Sequence, residues 1–377
     1  MGVSASQYSN ARCGPQPCCA DDRNAAQKNV RSHWTDAQFY LLIAICLAGQ
    51  AGADSYLIAT FAAPLSRDGP GLLLRDIQRG DDPQITAIQD IITLHAPDVL
   101  VLTDFDYDLD GFALTAFAAT LGPDYPHRFA LQPNAGLATG LDLDGNGRLG
   151  EARDAHGYGR FAGDGGLAIL SRFPILETQV TDLSGTLWKD VPGATLPQVA
   201  GMPFPSAAAQ RILRVSSTAH WIVPLALPDG PALSLLVFSA TPPVFDGPED
   251  MNGLRNRDEL RLWEAVIDGG LGVAPSSFVI AGNANLDPNG GAGYAEAISA
   301  FLRNPLLQDP LPDVDTADWP EDGPGNLRVS YVLPSADWTV IDAGVFWPAP
   351  DEPERALVGD DGLAAGPHHL VWVDVSG

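Results

Sequence analysis

Beyond residue 53 the chain carries seven short apolar runs, at 56–61, 98–103, 167–171, 233–239, 277–281, 329–335 and 369–375. Runs of this length, rich in Val, Ile and Leu and bounded by Gly, Pro, Asp or Ser, predict strands. The run at 277–281 is apolar and β-branched and then breaks at Gly282, so it predicts a buried strand delivering Asn283, Asn285 and Asp287 to its C-terminal lip. Helical spacing shows at two places. Ile85, Ile88 and Ile92 recur after Pro83, and Leu260, Trp263 and Ile267 recur after an acidic stretch. The pattern predicts two packed sheets with helices on their outer faces. With no internal repeat and no linker long enough to divide it, residues 54–377 read as one domain with long loops.

Residues 1–53 read as a separate extension. Arg12, Arg23, Lys28 and Arg31 precede the apolar stretch 39–49, and small residues follow at 50–53. That order of charged, apolar and small residues is the order in an export signal, so cleavage is expected near Ala53. The apolar stretch falls well short of the roughly 20 residues a membrane-spanning helix needs. The long polar lead before it leaves open an over-extended start or a membrane-anchored N-terminus. Cys13, Cys18, Cys19 and Cys46 all fall in this extension. The cleaved chain would then hold no disulfide, no thiolate metal site and no cysteine nucleophile, and would depend on its core.

The net charge of −26 changes the choice of partners. Lys189 is the only lysine after the extension. A surface this acidic repels a polyanion, which argues against nucleic-acid binding built on phosphate neutralisation. It suits a soluble exported protein adapted to salt.

One loop suggests a cation. In "GLDLDGNGRLGEARD", Asp142, Asp144 and Asn146 alternate before Gly147, and Glu151 and Asp154 follow. This resembles the start of a calcium loop, with oxygens at positions one, three and five and a turn glycine at six. Arg153 stands at position twelve where a bidentate Glu would be expected, and no amphipathic helices flank it. A calcium-stabilised loop and a plain Asp/Gly turn are both open, and either is structural. The run 245–259 packs Asp246, Glu249, Asp250, Asp258 and Glu259 with Arg255 and Arg257 into a helix entry; it reads as helix capping with surface ion pairs, and a metal- or substrate-facing loop beside Ser239 is the alternative. His220 reads as structural. Arg172 and Arg214 are candidates for contact with a phosphate.

Taken in order, "ATFAAPLSRDGPGLLLRDIQRGDDPQ", "DVLVLTDFDYD", "GGLAILSRFPI", "TPPVFDGPEDMNG", "AGNANLDPN", "LRVSYVLPS" and "HHLVWVDV" resemble the endonuclease/exonuclease/phosphatase family, from about Tyr56 to Val375. The resemblance implies a four-layered α/β sandwich whose metal site lies at the strand C-termini. It implies Mg²⁺ or Mn²⁺, an acid that activates water, and His and Asn groups that stabilise charge on phosphate.

Residue by residue, the resemblance implies a depleted site. Ala62 stands where the family places an Asn. Asp104 replaces a metal-binding Glu, and Ser239 falls at the position of a His. Asn283 replaces the acid of the Gly-Asp-x-Asn motif, while Asn285 is kept. Ser330 and Pro367 stand where acids are usual, and His368 is kept.

Asn283, Asn285 and His368 thus form the implied catalytic set, with Asp104 as metal ligand helped by Asn285 and His368. Asp106, Asp108 and Asp287 are the acids nearby in sequence that could replace those lost. His368 could instead be a strand-start histidine bound to backbone. An amide nearly keeps the shape of Asp but takes no proton, so the substitution preserves architecture and subtracts chemistry.

The expected function is phosphoester hydrolysis that is weakened or lost. If active, the protein would be a monomer acting on a small or lipid-like phosphate ester. The alternative is a non-catalytic ligand- or partner-binding protein on the same scaffold.

Overall fold

The computed structural model describes residues 55–377 apart from 123, 229, 231, 273 and 321. The expected export signal and cleavage near Ala53 therefore fall outside the described residues. Two sheets face each other. The first, of six strands, has β1 (Ser55–Phe61), β2 (Val99–Phe105), β3 (His127–Phe129), β4 (Gly166–Ser171), β10 (Thr339–Val345) and β11 (Val371–Ser376), in the order β10-β11-β1-β2-β4-β3. The second, of five, has β5 (Thr181–Asp182), β6 (His220–Leu225), β7 (Leu233–Ser239), β8 (Phe278–Asn283) and β9 (Ser330–Pro334), in the order β9-β8-β7-β6-β5. Only the pairs β1–β2 and β7–β8 within these sheets are parallel.

Each central strand is apolar over most of its length because both its faces are covered. Ile58, Val99, Val101, Leu235, Val237, Val279, Ala281, Val332 and Val373 fill the space between the sheets. Phe61, Leu100 and Leu102 turn the other way, onto α1 (Leu72–Arg79), α2 (Pro83–His95) and α3 (Phe112–Ala118). Leu236, Phe238, Ile280 and Leu333 face α4 (Met251–Ile267) and α5 (Ala295–Leu302). The layers run helix, sheet, sheet, helix.

The first predicted helix has a visible start signal, whereas the Asp250 side chain makes no capping bond at the start of α4. Asp82 accepts the amides of Gln84 and Ile85, with Pro83 in the first turn, and Ile85, Ile88, Ile91 and Ile92 are buried. In α4, the stripe of Leu260, Trp263 and Ile267 is buried. The charged residues of α4 do form an ion pair, Asp258 with Arg257 at 3.0 Å and Arg261 at 2.8 Å, but the Asp258 carboxylate is buried instead of lying on the surface. Arg255, Asp258 and Glu259 are at most 5 % exposed and hydrogen-bond into the interior. Asp258 accepts Trp188 Nε1 and the Thr195 amide, and Glu259 accepts the amides of Ser217 and Thr241 and the Ser217 hydroxyl.

Two long strands had no signal of the expected kind. Pro224 interrupts β6, which is tolerated because the strand pairs on its outer side with β5 at only two residues. The edge strand β10 has no buried residue and is kinked by a bulge between Val340 and Asp342, so it carries no apolar run.

Candidate functional site

At one end of the sandwich the inner face of the strands changes from apolar to polar. Period two carries Val101 to Thr103, Val237 to Ser239 and Ala281 to Asn283. A cleft of about 1380 Å³ opens above them, lined also by Ala62, Asp104, Asp164, Asn285 and His368. A register irregularity between Leu102 and Phe105 lets neighbouring Thr103 and Asp104 both line it.

Asn283 lies in register with Ser239 of β7 on one side and Ser330 of β9 on the other. The three positions to which the resemblance assigns chemistry thus form one row of neutral side chains across the sheet. Ser330 is 1 % exposed, its hydroxyl has no partner, and it does not line the cleft. Gly282 is required between them, since a Cβ there would sit 2.1 Å from the Phe238 carbonyl oxygen. Asn283 is 6 % exposed, and its Oδ1 accepts the Asn285 amide at 3.2 Å. Asn285 adopts φ 52°, and its Nδ2 donates to the Ala240 carbonyl at 2.8 Å. Both amides are thus built into the turn that follows β8.

Asp104 is half-buried. Burial pushes its carboxyl up to about 6, the charge of Asp164 adds to the rise, and the Ser66 hydroxyl and Arg67 oppose it. Asp164 itself accepts the Arg160 amide at 2.8 Å. Gly165 admits this approach, since a Cβ would lie 2.7 Å from Asp104 Oδ1.

The three other acids near these motifs are occupied. Asp106 accepts the amides of Arg67 and Gly165. Asp108 accepts those of Phe112 and Ala113 at the start of α3. Asp287 accepts those of Asn289, Gly290 and Arg328. Each holds a turn or a helix end, and Asp106 and Asp108 do not line the cleft.

His368 lines the cleft edge-on to Trp319, with ring centroids 5.1 Å apart. Burial pushes its pKa down to about 4, so the ring is neutral at pH 7. Its backbone is bridged to Ala317, but its Nδ1 finds no hydrogen-bond partner. The side chain is therefore not held by backbone in the manner of a plain strand-start histidine.

Other candidates lie apart. His220 is fully buried, its Nδ1 at 2.9 Å from Ser216 Oγ. Arg172 pairs with Asp98 at 2.9 Å, and Arg214 donates to Asn134 Oδ1 at 2.6 Å; neither lines the cleft.

Sequence reasoning missed Thr103, Thr241 and Asp164 as cleft residues, whereas Asp246, Glu249 and Arg255, from the run that also reads as a substrate-facing loop, do line the cleft. The hydroxyls of Thr103 and Thr241 are buried and unpartnered, although both residues line the cleft. The alternation from Val101 would have pointed to Thr103. Nothing local marks the others.

A tightly held catalytic cation does not fit this donor set. Ala62 removes one expected oxygen ligand and leaves Asp104 with its neighbour Asp164, the amide of Asn285 and neutral His368, which do not make a group of three acids or histidines close enough to grip an ion. Among the described residues, the group of acids and histidines close enough to grip an ion is Asp142, Asp144 and Asp154, whose oxygens lie within 4.8 Å of one another. Asp142 accepts the amides of Gly145, Asn146 and Gly147, and Asp154 those of Leu143 and Glu151. Asn146 donates its Nδ2 to Glu151 and Asp144.

Two sheets packed face to face between helices, with a cleft at the strand ends, define a four-layered α/β sandwich. The sequence profile of the Endonuclease/Exonuclease/phosphatase family matches residues 75–360, and the chain belongs to that family. The match leaves out both Ala62 and His368. Among solved structures, an endonuclease/exonuclease/phosphatase from Beutenbergia cavernae DSM 12333 is similar at 15 % identity and a TM-score of 0.50, covering 85 % of this chain and 71 % of that one. Sphingomyelinase C from Streptomyces griseocarneus is similar at 14 % identity and 0.47, covering 86 % and 100 %. The Bacteroides thetaiotaomicron mannosyl-6-phosphatase is similar at 12 % identity and 0.47, covering 85 % and 100 %. The chain matches none of the curated proteins compared with it.

Proposed function

We propose that this protein is an exported, monomeric family member that binds a small or lipid-like phosphate ester in the cleft, with divalent-metal-dependent hydrolysis weakened or lost. One observation carries the reading. The family's proton-accepting position is the buried amide of Asn283, while Asp106, Asp108 and Asp287 are spent on backbone amides. Losing one such group costs a factor of ~10² to 10⁴ in rate, and several losses do not add. The same observation favours binding without turnover over residual catalysis. Mg²⁺ or Mn²⁺ would meet Asp104 with its neighbour Asp164, and Ca²⁺ would serve the 142–154 loop. The net charge of −26 supports a small ester over nucleic acid.

Hydrolysis of bis(4-nitrophenyl) phosphate with Mg²⁺, Mn²⁺ or chelator tests the reading. Background rates in the wild type, with a metal-dependent rise in Asn283→Asp, are expected. Metal-dependent turnover by the wild type that disappears in His368→Ala would overturn it.

A further inference from the structure

Phe245 stands at the cleft rim, 80 % exposed, with φ 70°. That left-handed backbone is rare for a residue with a side chain and rarer for a bulky one. An exposed ring gains little from burial here, so neither packing nor backbone preference accounts for a Phe at 245. A held outlier of this kind points towards function.

Asn252, in the first turn of α4, does the holding. Its Nδ2 donates to the Val244 carbonyl at 2.6 Å and its backbone amide to Asp246 Oδ2 at 2.5 Å, clamping the residues on both sides of the ring. The Val244 amide closes on the Pro242 carbonyl at 2.8 Å. A second exposed aromatic, Tyr158, also lines the cleft. The cleft floor holds the opposite chemistry in the unpartnered hydroxyls of Thr103 and Thr241, both more than nine-tenths buried. The cavity is thus amphiphilic, with flat apolar groups at the mouth and hydrogen-bond donors below.

We propose that Phe245 is a specificity-determining residue that packs on the ligand, so that the cleft selects phosphate esters of aromatic or otherwise flat apolar alcohols. This rests on the reading of the cleft as a phosphate-ester site. The clamp fixes the backbone that carries the ring, so a ligand that packs on it has only the side-chain rotation of Phe245 left to order.

Calorimetric titration of the full chain with phenylphosphonate and methylphosphonate separates the ring contribution from that of the anion, since both resist hydrolysis and share a head group. The wild type should bind phenylphosphonate roughly tenfold more tightly, as expected for one aromatic contact with its burial. Phe245→Gly, which suits φ 70°, should erase that preference, keep the affinity for methylphosphonate and raise Tm. Equal affinities in the wild type, or a preference that survives in Phe245→Gly, would overturn the role of Phe245 and leave the phosphate-ester reading standing. Binding of neither phosphonate would overturn that reading and this inference with it.

Discussion

The side-chain oxygen of Asn283 accepts the backbone amide of Asn285 at 3.2 Å, so the residue that would remove a proton elsewhere in the family here closes a turn. An Asp at 283 could make the same bond, but it would bury a charge with no cation to balance it. Asn283→Asp should therefore fold and be less stable than the wild type at pH 7.5, by ~1–3 kcal/mol, with the difference shrinking as pH falls towards 4. Urea unfolding at both pH values checks this. An equally stable variant at pH 7.5 would mean the site already supplies a compensating charge.

Asp104 gives the converse experiment. Its folded pKa, about 6, lies above the ordinary value of 3.8, so the folded state binds the proton more tightly than the unfolded chain. The resulting penalty is complete above about pH 6 and absent below about 3.8. Asp104→Asn should stabilise the protein by ~1–3 kcal/mol at pH 7.5 and by nothing measurable near pH 3.8. Denaturant midpoints across that range would show it, and a pH-independent effect would assign the gain to packing instead.

The buried histidines act in the opposite direction. Burial depresses His156, His368 and His369 to about 4 and His220 to about 3. Their contribution is complete above about pH 6.5 and is lost as pH falls towards 4, because only the unfolded chain takes the protons. NMR titration of the imidazole carbons should find these rings neutral at pH 6. Any of the four titrating near 6.5 would place it in water.

Glu259 is a fully buried carboxyl that ties three donors from two other segments to α4. It accepts the Ser217 and Thr241 amides and the Ser217 hydroxyl, with Arg255 one helical turn away. Glu259→Ala would leave those donors and the Arg255 charge uncompensated, and should cost ~3–5 kcal/mol. Glu259→Gln keeps an acceptor and should cost less. Chemical denaturation that ranks the two variants equally would show that the charge itself matters little.

Calcium is expected to act on the 142–154 loop. Saturating Ca²⁺ should raise Tm by roughly 2–5 °C, and Asp144→Ala should remove the shift while barely changing Tm in chelator. An equal shift in the variant would locate the ion elsewhere.

The strand runs, the two periodic helices and the order of motifs sufficed for the layered sandwich. A strand buried on both faces must be apolar over most of its length, so its composition reports its place. The substitutions at Ala62, Asn283 and Pro367 were likewise visible, since an amide or a methyl group cannot carry a proton in any fold. Only the tertiary structure decided how the acids are used. Asp106, Asp108 and Asp287 look equally available in the sequence, and hydrogen bonds to nearby and distant amides commit all three. Arg255, Asp258 and Glu259 read as surface charges because helical spacing cannot show what packs on each face. The backbone of Phe245 was also illegible, because its left-handed conformation is imposed by Asn252, a residue of the next helix, through bonds that form only in the folded chain.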